Sequence, residues 1–119
     1  MMKQPKLTIV VPCFNEEEVF PKTYEELKRI ILRLIDGGII HLNSRILFVD
    51  DGSSDSTWHQ IEKAYREDPF IEGLKLSRNF GHQRALLAGL EEAAKYSDCV
   101  ISIDADLQDD VEVICEFIN

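Results

Sequence analysis

Four short apolar runs alternate along the chain with segments of helical periodicity. The runs are Leu7-Thr-Ile-Val-Val11, Arg45-Ile-Leu-Phe-Val49, Ile71-Glu-Gly-Leu-Lys-Leu76 and Cys99-Val-Ile-Ser-Ile103. The first, second and fourth are nearly continuous hydrophobe, as expected for parallel strands covered on both faces. The third, with Glu72 and Lys75, is more polar and is predicted nearer an edge. Between the runs, Leu27, Ile30, Ile31, Leu34 and Ile35 form a helical stripe that Gly37-Gly38 should end. Asn15 with Glu18 has capping-box spacing for this helix. Ser53, Ser54 and Asp55 offer caps for a second helix carrying Trp58, Ile61 and Tyr65. Asn79 can cap a third, with Leu86, Leu87, Leu90 and Ala94 along it, and Asp109 with Glu112 repeats the capping spacing for a fourth. Strand and helix in alternation predict right-handed βαβ units, hence an α/β fold with an open, mostly parallel sheet and helices on both faces.

Length and charge narrow the possibilities. At 119 residues the chain is one domain at most, spanning 1–119, and 45% hydrophobic residues suffice for one modest core. A formal charge of −9 argues against a general nucleic-acid binder. Cys13, Cys99 and Cys115 lack metal-site spacing and read as reduced, mostly buried thiols of a cytosolic protein. No apolar run approaches the ~18 residues that span a bilayer, and the N-terminus has no signal-peptide core. The amphipathic pattern from Val111 to Ile118 stops at Asn119 without a helix-ending residue, so the chain is expected to be a truncated piece of a longer protein.

In an open parallel sheet, ligands bind outside the carboxyl ends of the strands, where the strand order switches. The residues after each run are therefore the ones that carry chemistry. After the first comes Pro12-Cys-Phe-Asn-Glu-Glu17, where proline is expected to end the ladder. Glu16, Glu17 and Glu18 can serve a helix dipole, or Phe14 and Glu16 can frame a base or ribose. After the second come Asp50 and Asp51, adjacent carboxylates that repel unless a partner offsets the cost. One of them should accept from a ligand N–H or hydroxyl, or hold a neighbouring loop.

After the third run, Lys75, Arg78, His82 and Arg84 make a local basic stretch with no acidic residue between Gly73 and Leu90. Such a stretch at a helix N-terminus suits a phosphate, Arg84 above all, or neutralises acidic loops beside it. After the fourth comes Asp104-Ala-Asp-Leu-Gln-Asp-Asp110, with too many carboxylates for capping alone. Asp104 and Asp106 are spaced to converge on one cation, and Gln108 can add a neutral oxygen. Mg²⁺ and Mn²⁺ favour such donors and keep positions open for water and substrate phosphate.

Taken together, Val10-Val-Pro-Cys-Phe-Asn-Glu-Glu17, Val49-Asp-Asp-Gly-Ser-Ser-Asp55, Ser77-Arg-Asn-Phe-Gly81 and Asp104-Ala-Asp-Leu-Gln108 resemble the family 2 glycosyltransferases of GT-A fold. The likeness is closest to the polyprenyl-phosphate branch, which includes bactoprenol glucosyltransferases and dolichol-phosphate mannose synthases. The resemblance implies a nucleoside pocket of Pro12, Phe14, Glu16, Val49 and Asp51. It implies that Asp104, Ala105 and Asp106 meet a diphosphate and a metal, with Gln108 a further ligand. Phe14 stands where tyrosine is frequent, and Asp110-Val111 replaces a common proline pair. The implied reaction is inverting transfer of a hexose from a UDP- or GDP-sugar, UDP-glucose preferred, to a polyprenyl phosphate at the cytoplasmic membrane face.

The acceptor half and any membrane segments are expected downstream of Asn119, so this chain alone is expected to be soluble and to transfer little sugar. An acceptor saccharide of cell-wall or exopolysaccharide synthesis is the alternative within the family. A dinucleotide-binding domain is disfavoured because the first strand–helix turn lacks Gly-x-Gly-x-x-Gly. A receiver-like, Mg²⁺-binding signalling domain is the rival from another class, but it needs an aspartate where Ser77 and Arg78 stand.

Overall fold

A computed structural model of the chain describes residues 4–105. The elements are β1 (Leu7–Cys13), α1 (Phe20–Asp36), β2 (Arg45–Asp50), α2 (Thr57–Glu67), β3 (Ile71–Lys75), α3 (His82–Ala94) and β4 (Cys99–Ser102). All strand pairs are parallel, in the order β3-β2-β1-β4. The chain steps outward from β1 to β3, then crosses back to place β4 on the other side of β1. Right-handed crossovers running in opposite directions put their helices on opposite faces.

The two faces are built differently. On one, Ile9, Val11, Ile46 and Phe48 pack against Phe20, Leu27, Ile30, Ile31 and Leu34 of α1 and Ile61 of α2. Burying each such side chain contributes roughly 1.5–3 kcal/mol, so the predicted α1 stripe is the main apolar anchor. The other face carries Val10, Leu47 and Val49 beneath Ala85 and Ala93 of α3. Here the stripe is not the one expected from the large residues. Leu87 is exposed, and the buried α3 positions are Ala85, Gly89 and Ala93. The reason is close approach: a Cβ on Gly89 would lie 2.5 Å from Val10 Cγ1 and 2.8 Å from Val49 Cγ2. Small residues let α3 settle onto the sheet, and Leu86 and Leu90 flank the contact half-buried. On α2, Trp58 is half-buried and Tyr65 exposed, so only Ile61 of that trio is core.

Strand β3 is the edge strand its polarity suggested, and β4 closes the other side among the described residues. Proline does not end β1. Pro12 pairs with Val49 inside the strand. Val10 accepts from Ile103 N–H on the β4 side, and Cys13 accepts from Asp51 N–H on the β2 side. Alternation therefore points Pro12 toward β4, beyond the last β1–β4 pair at Val10 and Ser102, where no ladder donor is required.

The helix starts also differ from expectation, because side chains placed to cap helices tie loops together instead. Helix α1 begins at Phe20, and its N-cap is Val19 without a side-chain bond. Asn15 takes a left-handed φ of 51° and accepts from Ser54 N–H at 2.8 Å. Glu17 accepts from Ser56 N–H at 3.0 Å and from its hydroxyl at 2.8 Å, which joins the β1–α1 loop to the β2–α2 loop. Glu17 N–H donates back to Asp55, and Glu16 N–H donates to the Thr57 hydroxyl. Asp55 is the effective α2 cap, accepting from Thr57 N–H at 2.9 Å. The Gly37-Gly38 stop is as expected, with Gly38 at φ 72° and Ile39 N–H returning to Leu34.

Asp55 makes this loop clamp sensitive to acid. Partial burial works to raise its pKa, but hydrogen bonds from the Thr57 hydroxyl and the Thr57 and Glu17 amides prevail and hold it below the usual value. A carboxylate with a depressed folded pKa stabilises the fold above its unfolded pKa, and that contribution disappears as pH falls through the folded value. Thermal melts of wild type and Asp55→Ala should therefore differ at neutral pH and converge below about pH 4. A gap that stays constant down to acid pH would show that the carboxylate charge plays no part.

Candidate functional site

The four strand-end loops meet in one open cleft of about 570 Å³. It lies at the carboxyl ends of β1 and β4, the two strands between which the sheet order switches. Pro12, Phe14 and Glu16 come from the β1 end, Asp51 from the β2 end, Gly81 and His82 from the start of α3, and Asp104 and Ala105 from the β4 end.

Each wall has a local cause. Phe14 follows the last residue of β1 and is 45% exposed, leaving a ring face available at the mouth. Cys13 also touches the cleft but is only 2% exposed. Burial pushes its thiol pKa well up, and Glu16 and Asp50 add to this, so it is a neutral lining group and not a nucleophile.

Asp51 is buried, and its carboxylate holds the neighbouring loop. It accepts from Phe80 N–H at 2.8 Å and from Asn79 Nδ2 at 3.2 Å. Gly52 lets the two loops touch: it sits at φ 70°, with the position of a Cβ only 2.3 Å from Arg78 C and Asn79 N. Asp50 points elsewhere. It is fully buried, takes a long bond from Ser53 N–H at 3.4 Å, and leaves Oδ2 without a hydrogen-bond partner. Of the two adjacent aspartates, Asp51 is the one on the cleft.

Helix α3 opens at the cleft with Gly81 as its N-cap, without a side-chain bond. Asn79, expected to be that cap, is turned instead onto Asp51. Arg78 stacks on Phe80, its guanidinium carbon 4.0 Å from the ring centroid. Arg84 is exposed on α3 and does not line the cleft. Val49 does not line it either, because its side chain is wholly buried under α3.

On the last wall, the buried Thr23 hydroxyl donates to the Ala105 carbonyl, which fastens the β4 end to α1. Asp104 is left half exposed, with Oδ1 3.7 Å from His82 Nε2. It presents a hard oxygen donor on the cleft, the type Mg²⁺ and Mn²⁺ take. No group of three metal-capable side chains occurs among the described residues. Asp106, Gln108 and the capping pair Asp109 and Glu112 lie outside them.

The chain matches the profile described as Glycosyl transferase family 2 over residues 8–119. It belongs to that family. The receiver-like alternative is thereby overturned: an acidic strand end beside a doubly wound sheet is common to both classes, and the ordered set of four motifs is not. Among relatives, the glycosyltransferase YkoT of Bacillus subtilis (strain 168) is 58% identical, covering 96% of this chain and 34% of its own length. A bactoprenol glucosyl transferase of Shigella phage SfV is 40% identical over the same shares. The chain thus spans about a third of the relatives it matches.

Two solved structures share the fold of this glycosyltransferase chain at low identity. The mannosyltransferase PcManGT of Pyrobaculum calidifontis, in complex with GDP-Man and Mn²⁺, has a TM-score of 0.65 at 19% identity, covering 87% of this chain and 28% of that one. S. aureus TarS 1-349 in complex with UDP has a TM-score of 0.65 at 20% identity, covering 95% and 32%. The GT-A arrangement expected from the motifs is therefore the one observed. No helix among the described residues is long and apolar enough to cross a membrane.

Sequence reasoning missed Asn79, Gly81 and Ala85 as cleft residues. Gly81 carried a signal, since a glycine just before a helix leaves the approach to its first amides open. Its φ is 99°, and nothing lies within 4 Å of where a Cβ would stand. Ala85 carried none, because only the tight seating of α3 brings it to the cleft.

Proposed function

We propose that the cleft binds a nucleotide sugar, UDP-glucose preferred, and that the whole protein transfers the hexose with inversion to a polyprenyl phosphate at the cytoplasmic membrane face. The observation that carries this reading is the single cleft at the β1/β4 switch, with Phe14, Glu16 and Asp51 on one side and Asp104 and Ala105 on the other. An aromatic ring and two carboxylate acceptors, of which Asp51 is buried, suit a base and ribose. The Asp104 side suits the diphosphate once a cation offsets the repulsion between carboxylate and phosphate. The bactoprenol glucosyl transferases at 39–40% identity support the lipid-phosphate acceptor.

In this reading Pro12, Phe14 and Glu16 frame the nucleoside and Asp51 accepts a base N–H. Asp104, Asp106 and Gln108 would hold Mg²⁺ or Mn²⁺, which supplies positive charge to the departing diphosphate. Ala105, small and fastened by Thr23, leaves room for the diphosphate beside Asp104. Arg84, exposed at the first turn of α3, serves the diphosphate from outside the described cleft. The acceptor phosphate oxygen attacks the anomeric carbon in line as the bond from that carbon to the diphosphate breaks. Holding the reactants in that alignment is the protein's contribution.

Calorimetric titration of the chain with UDP-glucose and GDP-mannose, with and without Mn²⁺, tests the proposal. Binding of at least one donor, weak and strengthened by Mn²⁺, is the expected result. Absence of any nucleotide binding in both conditions would refute it.

A further inference from the structure

We propose that Asn79 is a positioning residue for Asp51 and, through it, a determinant of which base the cleft selects. The inference rests on reading the cleft as a nucleoside site, and it starts from how little of Asp51 is free. The residue is 3% exposed, yet it lines the cleft. Its Oδ1 accepts from Phe80 N–H at 2.8 Å and its Oδ2 from Asn79 Nδ2 at 3.2 Å. The same Nδ2 lies 3.2 Å from the Asp51 backbone carbonyl oxygen. One donor on each oxygen stops rotation about the last side-chain torsion, so the carboxylate plane is set before any ligand arrives.

An ionised carboxylate has about four lone-pair positions, and two are occupied here by the protein itself. What remains toward the cleft is a narrow acceptor edge. An imide base such as uracil offers one N–H between two carbonyls, which one remaining acceptor satisfies. Guanine offers two adjacent donors, the ring N–H and the exocyclic amine, and needs two free in-plane oxygens side by side. With Asn79 on one oxygen and the Phe80 amide on the other, the carboxylate cannot turn to set both remaining lone pairs square to a two-donor edge. The pair of bonds therefore tilts the site toward a one-donor base, and of the two only the Asn79 bond depends on the side chain at 79.

The test compares binding of UDP, GDP and 3-methyl-UDP, whose methylated imide has lost the donor, to wild type and Asn79→Ala. Wild type should bind UDP at least about tenfold more tightly than either of the other two, since a buried acceptor left unpaired penalises an analogue that cannot donate. Asn79→Ala should weaken UDP about tenfold and bring the UDP to 3-methyl-UDP ratio within about threefold, because a carboxylate free to turn loses its aim. If Asn79→Ala does not fold, as judged by thermal melting, Asn79→Ser carries the same expectation. A uniform loss that leaves the ratio intact would reduce Asn79 to a purely structural role and overturn the proposal. So would wild type binding GDP as well as UDP. Failure of wild type to bind any nucleotide would instead overturn the donor-site reading on which this rests.

Discussion

Gly52→Ala should unfold the chain at a clearly lower temperature and remove nucleotide binding with it. Two effects combine at this position. Gly52 sits at φ 70°, where a side chain costs about 1–2 kcal/mol through contact with its own carbonyl. The Cβ would also stand 2.3 Å from the Arg78 carbonyl carbon and the Asn79 amide nitrogen. Both are backbone atoms, so no rotamer change relieves the clash, and the β3–α3 loop must move. The loop then withdraws Phe80 N–H and Asn79 Nδ2 from the buried Asp51 carboxylate.

A loss of roughly 3 kcal/mol or more follows from strain and overpacking together, a large share of the 5–15 kcal/mol typical of a domain. Gly38→Ala is the matched control. Its φ is 72°, but the nearest atom to a Cβ there is the Gln4 side-chain nitrogen at 3.4 Å. Urea melts should therefore show Gly52→Ala far more destabilised than Gly38→Ala. Equal midpoints for the two variants would mean that the loop contact contributes nothing beyond the backbone angle.

The second large effect is on binding and not on stability. Asp104→Ala should leave the melting temperature close to wild type, because the side chain is half exposed and outside both core clusters. The same variant should reduce Mn²⁺-dependent affinity for the nucleotide sugar by at least about a hundredfold, since on the proposed reading it deletes an oxygen ligand and leaves the diphosphate charge less neutralised. Asp106→Ala should lower the Mn²⁺-dependent affinity in the same way. Wild-type affinity in either variant, measured at saturating Mn²⁺, would take the metal away from this wall of the cleft.

The sequence alone determined the order of the described elements, the parallel sheet with helices on both faces, and the edge place of β3. Continuous apolar runs and an amphipathic stripe are local consequences of burial, so they can be read residue by residue. The ordered strand-end motifs likewise carried the family. Polar side chains were harder to place, because their partners lie far along the chain. Asn15 and Asn79 had the chemistry of helix caps and Glu17 that of a dipole partner, yet each is hydrogen-bonded to another loop, 39 residues away for both Asn15 and Glu17.

Only the tertiary structure decided that Ala85, Gly89 and Ala93, and not the leucines, face the sheet on α3. It also decided that Pro12 sits within β1, and that Val49 lies beneath α3 while Asp51 reaches the cleft. Val49 and Asp51, two residues apart, share one face; α3 covers the first, and the second lies past the end of β2 at the cleft. Spacing along the chain specifies which groups are available. The direction of each crossover specifies which of them converge.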